Sequence, residues 1–187
     1  DIWRVQGAFF RLNYDYRSKY LLEVNGRYDG SSKYAKHDRW AFFPSASVGW
    51  RISEEKFFKS LSKVVDNLKI RASIGALGNQ ITDGNHSFMS IISGKVLTNY
   101  MMDGKIVNGL NIPTLPSMVT WEKVITKDIG LDWSLFKNRL FGSFDFYVRD
   151  TKDMVRSVTL PAVLGTSGGK ENIADMRTVG WELEMTW

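Results

Sequence analysis

Trp40-Ala41-Phe42-Phe43-Pro44-Ser45-Ala46-Ser47-Val48-Gly49-Trp50-Arg51-Ile52-Ser53 decides how the rest of this chain is read. Trp40, Phe42, Pro44, Ala46, Val48, Trp50 and Ile52 share one parity, and Ala41, Phe43, Ser45, Ser47, Gly49, Arg51 and Ser53 share the other. Successive side chains of a β-strand project to opposite faces, so one face here is apolar and bounded by indoles while the other is mostly small or charged. The stretch outruns the usual globular strand of about 5–6 residues and suits a tilted crossing of a bilayer.

Six further segments repeat the pattern. Val5 to Tyr16 sets Ala8, Phe10, Leu12, Tyr14 and Tyr16 against Arg11, Asn13 and Asp15. After a tight turn at Arg17-Ser18, Lys19 to Asp29 sets Tyr20, Leu22, Val24, Gly26 and Tyr28 against Glu23, Asn25, Arg27 and Asp29. Leu68 to Gly78 opposes Leu68, Ile70, Ala72 and Ile74 to Lys69, Arg71 and Ser73. Thr120 to Phe136 opposes Ile125, Ile129, Leu131, Trp133 and Leu135 to Glu122, Thr126, Asp128, Asp132 and Ser134. Leu140 to Asp153 places Phe144, Phe146 and Val148 away from Ser143, Asp145, Tyr147 and Arg149. Met176 to Trp187 places Val179, Trp181, Leu183 and Met185 away from Thr178, Glu182 and Glu184. The expected fold class is all-β, an antiparallel transmembrane β-barrel wall of about seven consecutive strands.

An antiparallel meander puts successive connections at alternate ends. The short turns at 17–18 and 137–139 then share one end, and the loops at 30–39, 79–119 and 154–175 share the other, as in outer-membrane barrels. The connection from Ser53 to Asn67 falls at the short-turn end and is longer than that rule expects. Ser53 is positioned to cap a short helix there, with Glu54 and Glu55 in its first turn and Phe57, Phe58 and Leu61 as its apolar face. Asn79 to Val119 reads as a long irregular loop.

Composition narrows the function classes. No apolar run of eighteen or more residues exists, which excludes a transmembrane helix but not a barrel strand. Cysteine is absent, so there is neither a disulfide framework nor a thiolate metal site. The net charge of +5 comes from Lys and Arg interleaved with acids, without a basic run, so no nucleic-acid partner is expected. The chain opens at Asp1 without a leader pattern and closes at Trp187 inside a strand pattern, so an internal piece of a longer protein is expected.

Arg11-Leu12-Asn13-Tyr14-Asp15-Tyr16, Arg27-Tyr28-Asp29-Gly30-Ser31-Ser32, Phe43-Pro44-Ser45 and Gly49-Trp50-Arg51-Ile52-Ser53-Glu54-Glu55 form an ordered series of short motifs. Leu68-Lys69-Ile70-Arg71-Ala72-Ser73, Gly75, Gly78-Asn79-Gln80, Trp121-Glu122, Gly130-Leu131-Asp132, Thr151-Lys152-Asp153, Asn172-Ile173 and Gly180-Trp181-Glu182-Leu183-Glu184 continue it. This succession resembles the barrel of SusC/RagA-family TonB-dependent transporters over nearly the whole chain. Ile81 to Thr114 matches nothing in it, and Trp181 stands where the family usually has an aliphatic residue.

The resemblance implies a multi-pass barrel of about 22 strands in a Bacteroidetes-type bacterial outer membrane. It further implies an N-terminal plug, energy supplied through the TonB complex, and import of oligosaccharides or peptides delivered by a SusD-like lipoprotein. Residues 1–187 would then be partial barrel wall, with plug and remaining strands elsewhere. The rival readings are a soluble β-sandwich that binds carbohydrate and a passive porin.

The expected lumen-lining residues are Arg11, Asn13, Glu23, Asn25, Arg27, Arg71, Asp132, Asp145, Arg149, Glu182 and Glu184. Phe43 and Tyr147, by parity, and Tyr100, in the long loop, are the candidates for stacking on substrate. Trp50, Leu131, Trp133, Phe144, Phe146 and Trp181 are expected to face lipid. Trp40, Trp121 and Trp187 lie near strand ends, where an indole suits a membrane interface.

No catalytic residues, metal ligands or cofactors are expected. Gly165-Thr166-Ser167-Gly168-Gly169-Lys170 lacks the first glycine of a phosphate loop, with Leu164 there, and has Glu171 in place of the magnesium-binding hydroxyl. His37 and His86 have no partner at metal-ligand spacing, and Asp83-Gly84-Asn85 lacks alternating oxygen ligands. Asn85-His86-Ser87 is a chance sequon. The same-face pairs Glu182 with Glu184 and Asp128 with Asp132 alternate with Arg and Lys on other strands, which suits a charge-paired wall rather than acid–base catalysis.

Overall fold

The computed structural model describes residues 2–80, 96–110, 119–161, 163 and 168–187, with 96–100 and 106–110 described as backbone alone. The seven strands read from alternation are present as β1 (Val5–Tyr16), β2 (Tyr20–Ser31), β3 (Trp40–Arg51), β4 (Val65–Asn79), β7 (Glu122–Leu135), β8 (Leu140–Ser157) and β9 (Lys170–Thr186). They form one antiparallel sheet in the order β1-β2-β3-β4-β7-β8-β9. Two more strands, β5 (Val96–Met102) and β6 (Lys105–Leu110), pair with each other inside what the sequence presents as an irregular loop. Their turn is Asp103-Gly104, both residues at positive φ, the backbone that a two-residue hairpin requires.

Registers keep the two faces separate across the whole sheet. Tyr20, Trp50, Ile70, Leu131, Phe144 and Leu183 stand opposite one another in a row crossing six strands. One residue over, the row on the reverse face runs Gly49, Arg71, Gly130, Asp145, Glu182. A β-sandwich would set a second sheet about 10 Å from the apolar face. Among the described residues the only other sheet is the two-stranded β5–β6 hairpin.

The connection between β3 and β4 corrects the expected capped helix. It consists of two 3-10 turns, Ile52–Glu54 and Lys56–Leu61, and Ser53 lies inside the first without capping it. Three residues per turn separate adjacent positions by a third of a circle, so Phe57 does not share the burial of Phe58. Phe58 is 7% exposed, whereas Phe57 and Leu61 are 67% and 55% exposed. No helix of the described residues is long and apolar enough to cross a membrane.

Candidate functional site: the polar face of the sheet and its two rims

Arg71 is the hub of the polar face. Its Nε donates to Asp132 Oδ1 at 3.1 Å, Nη2 lies 2.6 and 2.8 Å from the two Asp145 oxygens, and Nη1 is 3.5 Å from Asp128 Oδ1. Lys69 Nζ adds a contact of 3.6 Å to Asp132 Oδ2. Asp145 is on β8, which is not a neighbour of β4; the strand between them carries Gly130 in the same row. A side chain at Gly130 would collide with both the guanidinium and the Asp145 carboxylate, so glycine is what lets the pair close over β7.

Beside this hub, Glu182 and Glu184 stand opposite Asp145 and Ser143, and neither forms an ion pair among the described residues. Arg149 places its guanidinium 5.7 Å from the Tyr147 ring centroid, and that ring lies over Gly180, where a Cβ would strike it. On β1 and β2, Arg11 Nε donates to Asn25 Oδ1 at 2.8 Å, and Asn25 Nδ2 donates to Glu23 Oε1 at 2.7 Å. Asn13 stands opposite Glu23, and Arg27 pairs with Asp29 at 2.5 Å. A shallow concavity brings Asn13, Glu23, Ser47, Lys69, Arg71 and Asp128 together.

At the long-loop rim the structure corrects two readings. Phe43 is only 5% exposed: its ring meets Trp121 edge-on at 5.6 Å and covers Gly78, so no face of it is open for stacking. Trp121 is 4% exposed, packed with Phe43, Val119 and Tyr34, and its Nε1–H donates to the Arg39 carbonyl at 3.2 Å. It belongs to a small core under the loops and not to an interfacial ring. Tyr34 and Val119 were not among the sequence candidates; each sits in a stretch without periodicity, the signal that marked the strands. Burial holds the Tyr34 phenol at a pKa raised to about 12, and its hydroxyl has no hydrogen-bond partner.

Polar groups rivet the same rim. Glu122 accepts from the Val155 N–H at 2.8 Å and from Asn79 Nδ2 at 3.1 Å. Asn172 accepts from the Thr120 N–H at 2.7 Å and donates through Nδ2 to the Thr120 carbonyl at 3.1 Å and to the Asp153 carbonyl. Thus Gly78-Asn79-Gln80, Trp121-Glu122, Thr151-Lys152-Asp153 and Asn172-Ile173, scattered in sequence, meet in one place.

The short-turn rim has its own fastening. Glu55 accepts from Tyr20 Oη at 2.8 Å, Lys19 Nζ at 3.1 Å and Trp50 Nε1 at 3.4 Å. The Tyr20 hydroxyl first, then the Lys19 ammonium, hold its carboxyl below the ordinary carboxylate range.

On the apolar face no layer covers Trp50, Phe144, Phe146 or Trp181, and each is exposed in this chain. Phe144 stacks on Trp181 at 6.4 Å, and Trp133 lies over Gly142. Leu131 sits between Ile70 and Phe144. Charge enters this parity toward the long-loop end, at Lys123, Lys127, Asp150, Lys152, Asp175 and Arg177, where Arg177 Nε meets Asp150 Oδ1 at 2.5 Å.

No three potential metal ligands converge among the described residues. His37 is an exposed loop residue beside Asp38, 2.8 Å away. His86, Asp83-Gly84-Asn85, the Asn85 sequon, residues 165–167 of the glycine loop and the Tyr100 side chain lie outside what is described.

Residues 3–187 match the family model described as TonB dependent receptor-like, beta-barrel. The chain is 33% identical over 183 residues to TonB-dependent receptor P26 of Formosa agariphila, covering 98% of this chain and 18% of that protein. It is 31% identical over 181 residues to TonB-dependent receptor SusC of Bacteroides thetaiotaomicron, covering 95% of this chain and 18% of that one. The fold matches a chain in the structure of the RagAB peptide transporter with a TM-score of 0.81 at 29% identity, over 98% of this chain and 20% of the other. The chain therefore spans about a fifth of the length of the relatives it matches.

Proposed function

The chain belongs to the TonB-dependent receptor-like β-barrel family, and on that premise we propose that it supplies part of the barrel wall of a SusC/RagA-type outer-membrane importer. The observation that carries this reading is a single uncovered sheet with charge on one face and an apolar band on the other. From Trp40 to Trp50 the strand rises about 33 Å, which at a tilt of roughly 40° spans about 25 Å of membrane. That is the height of an outer-membrane barrel's apolar band. The onset of charge at Lys127, Asp150 and Arg177 marks its outer edge.

In this reading the apolar face, with Trp50, Leu131, Trp133, Phe144, Phe146 and Trp181, meets hydrocarbon. The polar face lines the lumen, through Arg11, Asn13, Glu23, Asn25, Arg27, Arg71, Asp132, Asp145, Arg149, Glu182 and Glu184. The long-loop rim faces outward and the short-turn rim faces the periplasm. The rest of the protein adds the plug and the remaining strands, and a SusD-like lipoprotein delivers oligosaccharides or peptides from outside. TonB supplies the energy, and the mechanism is gated passage without bond chemistry or cofactor. Tyr147, with the Arg149 guanidinium over its ring, is the wall aromatic that would touch cargo.

Cysteine accessibility in the full-length protein tests the wall assignment. A hydrophilic maleimide should label Ser143→Cys and spare Leu131→Cys in intact outer membranes; equal labelling of both overturns it. Uptake of labelled oligosaccharide or peptide that survives a protonophore unchanged would overturn the energised mechanism and leave a passive pore.

A further inference from the structure

The connection from β3 to β4 is the one link at the short-turn rim that is longer than a tight turn. Glu55, between its two 3-10 turns, takes hydrogen bonds from Tyr20 and Trp50 and from the Lys19 ammonium on the adjoining turn. Tyr20 and Trp50 share the apolar parity and stand opposite each other in register. Their polar edges meet at Glu55, which ties the start of the second 3-10 turn to the short-turn end of the apolar band.

From that position the chain exposes Phe57, Leu61 and Val64, next to Phe136, whose N–H donates to the Val64 carbonyl at 2.8 Å. Lys56, Lys59 and Lys63 are exposed between them, with Lys137 and Arg139 on the adjoining turn. None of these five cations has an ion-pair partner among the described residues. The acids nearby are Glu54 and Asp66, the latter occupied by the Asn138 N–H, and Glu55, already satisfied. Exposed apolar side chains interleaved with free cations, next to Tyr20 and Trp50, are the composition of an element lying in a headgroup layer.

We propose that residues 55–64 form a binding site for anionic phospholipid of the inner leaflet. Phe57 and Leu61 enter the acyl boundary, and Lys56, Lys59 and Lys63 take the headgroup phosphates. Glu55, by gripping Tyr20 and Trp50, sets the depth of the segment. The site rests on the barrel-wall reading above, and its continuity with the apolar band and its charge commit it to lipid.

The test uses the full-length protein with a single engineered cysteine, in nanodiscs of phosphatidylethanolamine with or without about 30% phosphatidylglycerol. An environment-sensitive fluorophore at Phe57→Cys should be quenched by nitroxides on the lipid headgroup, and one at Leu131→Cys by nitroxides deep in the acyl chains. Quenching at position 131 without quenching at 57 overturns this site and leaves the wall intact. Absence of quenching at both overturns the wall itself. With Lys56, Lys59 and Lys63 changed to Gln, the phosphatidylglycerol enrichment of lipid retained on the protein should fall about fivefold or more. Enrichment that stays unchanged overturns the anionic preference.

Discussion

Arg71 and Asp145 sit on strands that do not touch, yet their side chains meet at 2.6 Å across the bare backbone of Gly130. The contact converts three strands of alternating sequence into a cross-braced wall, and it depends on one residue having no side chain.

Gly130→Ala should therefore be costly where a nearby strand glycine is not. A Cβ at position 130 pushes the guanidinium off Asp145, whereas one at Gly75 meets only Ser45 Cβ at 3.3 Å. In denaturant unfolding of the full-length protein, Gly130→Ala is expected to lose about 1–3 kcal/mol. Gly75→Ala should stay within roughly 0.5 kcal/mol of wild type.

The Glu55 fastening has a pH signature with a definite sign. Its carboxyl is held below the ordinary carboxylate range by Tyr20 and Lys19, so the charged form is favoured in the folded state. Its contribution is complete above that ordinary range and disappears as pH falls through the lower folded value. Glu55→Gln should be less stable than wild type at pH 7, with the two thermal midpoints converging in acid. A gap that persists at low pH would refute the charge-based account.

Tyr34 predicts behaviour at the opposite end of the scale. Its phenol is raised to about 12, so the unfolded chain releases that proton earlier than the folded one. Stability from this residue is present below the ordinary tyrosine value of 10.0 and lost as pH rises toward 12. Because the hydroxyl is buried without a partner, Tyr34→Phe should be neutral or stabilising at pH 7 and should flatten the alkaline limb. Alkaline unfolding curves of the two proteins check this.

Asn172 fastens the base of the long loop by bonding both backbone groups of Thr120. Asn172→Leu strands those groups and should cost about 1–3 kcal/mol. Hydrogen exchange should accelerate at the Thr120 amide while the Ile129 amide, in mid-strand, keeps its protection.

Leu131→Arg tests the apolar face directly. An arginine near the bilayer midplane of a barrel costs roughly 2–4 kcal/mol. Arg177→Leu, at the charged margin of the same parity, should instead leave insertion yield unchanged. Equal yields for both variants in outer-membrane fractions would contradict the placement of Leu131 in hydrocarbon.

The strands and their two faces were legible because alternation is a local property: Trp40 to Arg51 shows it without reference to any neighbour. The β5–β6 hairpin escaped because Val96–Met102 and Lys105–Leu110 alternate weakly, although Asp103-Gly104 carries a strong hairpin signal. Phe43 was misread because parity says which way a side chain leaves the strand and not whether a loop folds over it. Trp121 and Tyr34 were opaque for a related reason, since a buried loop aromatic has no period to reveal it.

Sequence alone determined that this chain makes long amphipathic strands with charge on one parity, because successive side chains of an extended backbone must alternate. Tertiary structure alone decided that β5 and β6 pair within the long connection, that Arg71 reaches Asp145 over Gly130, and that Glu55 grips Tyr20 and Trp50. Two of those contacts, Tyr20 with Glu55 and Arg71 with Asp145, join residues 35 and 74 positions apart, and their geometry follows from inter-strand register, which no local pattern encodes.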